Sequence, residues 1–283
     1  MYPSLQLIIY AIFWIISGII LYGLSVIPCC FLIRWCLSFY PIWLSFIFPL
    51  AVFLLIINMI LLTGIIKRLF IPDLKEGEYE YAKNPYPFNV WVANRWITEY
   101  VMAVFRKLIY KNDLLRYVCL RLYGVRLHFS TLISSTRLSD YSLLTIGKRT
   151  RIGAWVTLYG HVQPEENRLI LARTVIGDDS FVGANSVISP GSWIGNNVFL
   201  GYNTVIGLYS RIGNNCRIGW HFIMGHMCIV EDDVVIGRHC LFGNSIRVTK
   251  GLKIPGFSVI PDNTIVDSQE KANAFILMKP PSI

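Results

Sequence analysis

A period of six runs through the chain from Leu143 to Val266. Stepping six residues at a time from Ile146, through Ile152, Leu158 and Ile170 to Ile254 and Ile260, meets an aliphatic side chain, Met or Phe at every stop except Pro164. Gly often follows the large residue, as at Gly147, Gly153, Gly177, Gly183 and Gly195. Four places after the large residue usually stands a small or β-branched one, as at Thr150, Ser180, Ser186, Thr204 and Ser210. Six matches neither the 3.6 of a helix nor the alternation of a plain strand. It matches a parallel β-helix of hexapeptides, in which three strand-and-turn units close one triangular coil. The large residue fills the prism, and the small one points inward where a larger one would overpack it. Gly suits the bends. Twenty hexads give six to seven coils, stacked about 4.8 Å apart.

What precedes the repeat is very apolar. The chain of 283 residues is 54% hydrophobic, with a mean hydropathy of +0.51, beyond the range of ordinary soluble domains. Leu5 to Ile27 carries no charge and would span about 34 Å as a helix. Pro41 to Ile66 is a second uncharged run, and Arg34 is the one Lys, Arg, Asp or Glu in residues 1–66. The pattern predicts a transmembrane helical hairpin over 1–66, with spans at about 5–27 and 41–66. Met1-Tyr2-Pro3-Ser4 lacks the basic start of a signal peptide. Lys67 and Arg68 abut the second span, and seven basic residues against two acids follow in 95–126. By the distribution of positive charge, both termini face the cytosol, so the β-helix is expected on the cytosolic side of an integral membrane protein. The net charge of +9 then belongs largely to this collar, which is expected to be attracted to anionic lipid. Nucleic acid is not an expected partner, because the basic residues sit beside the spans and no reader motif is present.

Residues 67–125 read as a connector followed by amphipathic helices. Asp73–Glu78 and Asn84-Pro-Tyr-Pro87 are turn-prone. Val90, Ala93, Ile97, Val101, Val104 and Leu108 recur at helical spacing, and a second helix is expected over Asp113–Leu122. Trp91, Trp96 and Tyr100 beside basic residues suit a helix at the membrane interface. The β-helix is assigned to 126–266. Over 267–283, Asp267-Ser-Gln-Glu270 looks like a capping box that starts a short helix.

Seven cysteines show no zinc spacing. Cys216, Cys228 and Cys240 fall on the small inward position, Cys29, Cys30 and Cys36 on the expected turn between spans, and Cys119 in an apolar helix. They read as small hydrophobes in a reducing compartment. Among the histidines, His221 and His239 extend a column from Asn167, Asn185 and Asn203, a structural pattern for turn residues. His221 and His226, five apart, resemble part of the metal site of gamma-class carbonic anhydrases. The position of its third histidine is Asn185 here, and two histidines make a poor zinc site.

His161 stands apart. The repeat breaks just after it, at Pro164-Glu-Glu-Asn-Arg168, so residues 162–169 are expected to leave the prism as a charged loop. A neutral imidazole at the root of such a loop can take a proton from a hydroxyl or amine. Glu165 or Glu166 would orient it.

The hexads resemble the hexapeptide-repeat acyltransferase superfamily. Leu114–Arg126, Leu143-Leu-Thr-Ile-Gly147, Leu158-Tyr-Gly-His161 with its acidic loop, and Thr174-Val-Ile-Gly177 look like one unit of the membrane C-terminal region of polylysine-synthetase-type nonribosomal peptide synthetases. There a Phe-Glu-Asp-Arg-like run follows the histidine; here it is the longer Gln163-Pro-Glu-Glu-Asn-Arg168. Gly243–Lys250 with Ile254-Pro255 looks like the final coils of small-molecule acetyltransferases, where a lysine matching Lys250 lies near the cofactor's phosphates. The resemblance implies a left-handed helix, a homotrimer, and acyl transfer from acyl-CoA or a phosphopantetheinyl carrier to a hydroxyl or amine. His161 would be the base, and Lys250 with Arg247 would hold the phosphates. An acyl or peptidyl carrier protein is a candidate partner, and no metal is expected. A non-catalytic trimeric membrane scaffold and a metal-site hydratase remain as alternative readings.

Overall fold

The computed structural model describes residues 3–36, 44–165 and 167–276. It divides into two compact units, residues 1–72 with 92–123 and residues 73–91 with 124–283.

The first unit is helical. Helix α1 covers Pro3–Cys36 and α2 covers Leu44–Phe70. Their apolar stretches Ile15–Trp35 and Phe46–Phe70 are 21 and 25 residues long, enough to cross a membrane. Helix α1 continues past Ile27 because Phe31, Leu32 and Ile33 keep it apolar, so Cys29 and Cys30 lie within it and not in a turn. Residues 37–43 of the expected turn lie outside the described residues, as does the side chain of Cys36. The Cys29 Sγ–H points to the Ala51 carbonyl at 3.3 Å, which ties α1 to α2. Helix α3 spans Tyr86–Lys111 and α4 spans Asp113–Tyr123. Gly64 lets α2 approach α4 closely, since a Cβ there would stand 2.9 Å from Leu122 Cβ. Next to that contact the buried hydroxyls of Thr63 and Tyr123 share a hydrogen bond of 2.8 Å.

The second unit is a parallel β-solenoid. The chain visits three parallel sheets in turn, with eight strands in one and seven in each of the others. The face that begins at Arg126–Leu127 has eight strands; the second face begins at Leu132–Ile133 and the third at Arg137–Leu138. In each two-residue strand of the three faces the first side chain points out and the second fills the prism. Ile188, Ile194, Leu200, Ile206 and Ile212 are completely buried. The small inward residues are buried as well, and they do more than save space. Ser192 Oγ–H donates to the Gly207 carbonyl at 3.0 Å, and Cys216 Sγ–H to the Glu231 carbonyl at 3.1 Å. A small donor in the core thus satisfies a carbonyl that a Val or Leu would leave unpaired. Burial pushes the Cys216 thiol up to about 11 despite backbone N–H groups that lower it. Close stacking explains the Gly column: a Cβ on Gly195 would stand 2.7 Å from the Gly213 carbonyl carbon.

Two features depart from the repeat as read. The solenoid begins at Arg126, ahead of the regular hexads. Arg126 pairs with Thr145 and Leu132 with Arg151, nineteen residues on, and Arg137 with Thr157, twenty on. Further down the step is eighteen, as between Val187 and Val205. The second departure is an insertion. From Leu158 the chain leaves the prism and rejoins it at Thr174–Ile176. Strand His161–Val162 pairs antiparallel with Arg168–Leu171, which pairs on its other edge with Gly77–Glu80. The expected loop over 162–169 is therefore a hairpin in a three-stranded sheet. Ile170, which keeps the six-residue phase, lies in this hairpin and not in the prism. Asn167 does too, so Trp155 takes its place at the head of the column through Asn185, Asn203, His221 and His239, all with positive φ.

At the C-terminal end, α5 spans Gln269–Ala274 and is capped by Ser268, whose Oγ accepts the Lys271 N–H. The cap is one residue later than the sequence pattern suggests, because Asp267 instead pairs with Lys271 Nζ at 2.9 Å. The Gln269 side chain accepts the Lys253 N–H at 3.0 Å and donates to the Lys253 carbonyl at 2.6 Å. Residues 277–283 lie outside the described residues.

Candidate active site

His161 occupies the root of the hairpin, where the third face turns back to the first. One coil above, the corresponding corner is made by Asp140, whose positive φ of 56° bends the chain into the short helical turn Tyr141–Leu143. This stacking brings Asp140 Oδ2 to 2.6 Å from His161 Nδ1. The same oxygen accepts the Gly160 N–H at 3.0 Å and the Ser139 hydroxyl at 3.1 Å. Oδ1 accepts the indole N–H of Trp91 at 2.9 Å. Asp140 is buried, with 4% of its side chain exposed, whereas His161 keeps 27%. Burial alone would raise the Asp140 pKa. The hydrogen bond and charge of His161, with the Gly160 and Trp91 N–H groups, outweigh it and hold the carboxyl below its ordinary value. An ionised Asp140 makes Nδ1 the protonated nitrogen and leaves Nε2 as a proton acceptor. Trp91 and Tyr159 flank the ring, with centroids at 4.8 and 6.3 Å.

Asp140 is not singled out by the sequence, and Trp91 only as an interfacial aromatic. Glu165 is exposed and stands 3.9 Å from Arg168, itself bound to Glu78 at 2.7 Å. Glu166 lies outside the described residues. The acid on the imidazole is thus Asp140. Trp91, read as an interfacial aromatic, is buried against His161.

A cleft of about 730 Å³ lies on the first face. Trp193, Tyr209 and Ile229 give it apolar walls, and Arg173, Arg211 and Lys250 face the carboxylates of Glu76, Glu231 and Asp232 across it, with Arg173 bound to Glu76 at 3.0 Å. Its upper edge is Ala172, whose N–H donates to the carbonyl of Gly160, the residue before His161, at 2.8 Å. At its lower edge Lys250 Nζ stands 3.3 Å from Asp233. Arg247 lies beside it, bound through Nε and Nη2 to Glu231 at 3.0 and 2.7 Å. Led by that hydrogen bond, the Glu231 carboxyl sits below its usual range. Both expected phosphate-binding cations therefore already hold acid partners. Arg211, absent from the sequence reading, makes no ion pair among the described residues.

The other histidines are built into turns. His226 Nδ1 accepts the Leu208 N–H at 2.9 Å. His221 Nε2 meets Asn203 Nδ2 at 3.3 Å, and its ring stacks on His239 at 4.7 Å. Among the described residues, no three His, Cys, Asp or Glu side chains gather where they could hold a metal ion.

Residues 173–208 match the family described as bacterial transferase hexapeptide (six repeats). No curated protein matches the chain. Among solved structures, a perosamine N-acetyltransferase from Caulobacter crescentus, determined with CoA and GDP-perosamine, is 20% identical over 61% of this chain and 60% of its own, with a TM-score of 0.30. A UDP-N-acetylglucosamine acyltransferase from Bacteroides fragilis is 19% identical over 50% and 58%, with a TM-score of 0.39. The acetyltransferase domain of PglB from Neisseria gonorrhoeae, with acetyl coenzyme A, is 14% identical over 51% and 64%, with a TM-score of 0.28. The chain thus spans about 60% of the length of the first of these. The likeness is one of hexapeptide repeat and says nothing about individual residues.

Proposed function

We propose that this chain is a membrane-associated acyltransferase that moves an acyl group from a thioester to a hydroxyl or amine, with His161 as general base. The observation that carries the reading is the buried Asp140 carboxylate on His161 Nδ1. It leaves Nε2 to take the acceptor's proton as the nucleophile attacks the thioester carbonyl. The tetrahedral intermediate then expels the thiolate. The hexapeptide transferase match and the CoA-bound acetyltransferases of like repeat support a CoA thioester as donor. A phosphopantetheinyl carrier would present the same reacting group. The cleft beside Ala172 suits the donor, with Lys250 as a point charge for its phosphates and Arg247 as a fork once released from Glu231.

Purified protein offered a panel of acyl-CoA donors with amine and hydroxyl acceptors should release free thiol. A protein that consumes no thioester from any donor belongs to the scaffold reading instead. Lys250→Ala should weaken donor binding several-fold, by loss of one phosphate contact, and change the chemical step less. Calorimetric donor affinity set beside single-turnover rates separates the two effects.

The apolar outward column Val187, Val205, Ile223, Leu241 and Val259 on the third face supports a homotrimer closed about that face. The lysines and arginines after α2 support a solenoid on the cytosolic side. Native mass measurement in detergent should give three copies, and a membrane-impermeant protease should leave 126–283 intact in whole cells. A stable monomer, or cleavage from outside, removes the respective proposal.

A further inference from the structure

Trp91 makes two contacts with the dyad. Its indole N–H donates to Asp140 Oδ1 at 2.9 Å. Its ring lies 4.8 Å from the His161 ring, inclined by 56°. The two carboxylate oxygens are thereby divided. Oδ2 serves His161, Gly160 and Ser139, while Trp91 is the one donor to Oδ1 among the described residues. The division has consequences, because the terminal torsion of an Asp side chain is soft and is set by its hydrogen bonds. Trp91 is itself held in place. Tyr81 Oη accepts the Asn167 N–H of the hairpin at 2.8 Å. From Tyr81 the rings pass to Phe88 at 4.6 Å and from Phe88 to Trp91 at 5.6 Å. The segment before the solenoid is therefore built into the site.

We propose that Trp91 is a positioning residue for His161. It pins the Asp140 carboxylate so that Oδ2 meets Nδ1, and it walls one side of the imidazole so that Nε2 stays presented to the acceptor. The acid that faces the ring is Asp140, with Trp91 and Tyr159 as neutral neighbours. Removing the indole N–H frees the carboxylate to rotate, and the fixed Nδ1–H tautomer becomes a mixture. This inference rests on the reading of His161 as the base.

Trp91→Phe keeps a ring and removes the donor. It should lower kcat roughly tenfold, the order expected for one hydrogen bond to a charged group, with KM for both substrates within twofold. The imidazole ¹⁵N shifts of His161, identified by their loss in His161→Ala, should move from a pure Nδ1–H pattern toward a mixed one. Phe88→Leu, which loosens the ring behind Trp91, should shift both readouts the same way by less, and it serves if Trp91→Phe folds poorly. Native kcat together with native His161 shifts in either folded variant overturns the inference. If His161→Ala retains turnover, the base assignment falls, and the ¹⁵N shifts alone still decide whether Trp91 positions the ring.

Discussion

His161→Ala should cut thioester-dependent turnover by about 10²–10⁴-fold, the usual contribution of a positioned general base, while donor affinity and assembly stay as they are. The ring is part exposed and fills no part of the prism, so its removal opens no core cavity. Asp140→Asn is the sharper companion. It keeps the shape of the corner but replaces an acceptor-only carboxylate with an amide that can present N–H to Nδ1. That favours the Nε2–H tautomer, which cannot accept a proton from substrate. A loss in the same range, with KM little changed, is expected. The pH dependence has a definite sign. Asp140 is held below its ordinary value of 3.8, so it contributes stability above that value and loses the contribution as pH falls through the lower folded one. Denaturation followed against pH should show that loss in the native protein and not in Asp140→Asn. Full activity in His161→Ala, measured by thiol release, would remove the mechanism.

The second large effect is structural. Phe242→Ala should cost about 3–5 kcal/mol, the range for deleting a buried aromatic. Phe242 is 1% exposed and meets Phe222 edge to face at 4.9 Å inside the prism. Coils of a solenoid contact their neighbours and little else, so the damage should be local. Hydrogen exchange should quicken in the coils around 222–260 and stay near native around His161. Uniform loss of protection across 126–266 would show that the solenoid unfolds as a single unit.

The inward face of the solenoid was legible because burial selects for side-chain size at every sixth residue, and Ile188 or Leu200 could be placed by counting. The site was legible only at His161. Asp140 lies in a first coil of nineteen to twenty residues, so a count calibrated on eighteen does not stack it over Gly160 and His161. Aligning corners instead of hexads, with Asp140 as a left-handed turn residue after Leu138, would have found it. The hairpin escaped for the opposite reason. It inserts twelve residues, two whole hexads, so the phase survives and Ile170 passes for a prism residue. The role of Trp91 is beyond the sequence, because its partners are forty-nine and seventy positions away and the basic residues near it suit a membrane interface as readily as a site. Lys250 lines the cleft with Arg247 beside it, and their binding to Asp233 and Glu231 depends on which turns stack, which the sequence does not show.

A stack of parallel strands with an open end is a template for its own growth: the last coil offers the same row of donors and acceptors that the next coil would occupy. The Gln269 amide closes that row on one face, giving Lys253 the acceptor and donor that a following strand would have supplied. On the adjoining face the Phe275 carbonyl receives the Val259 N–H at 3.0 Å. A six-residue helix thus acts as a chain terminator. Without it, two of the three faces would present a bare edge to the solenoid of another molecule, a start for end-to-end filaments.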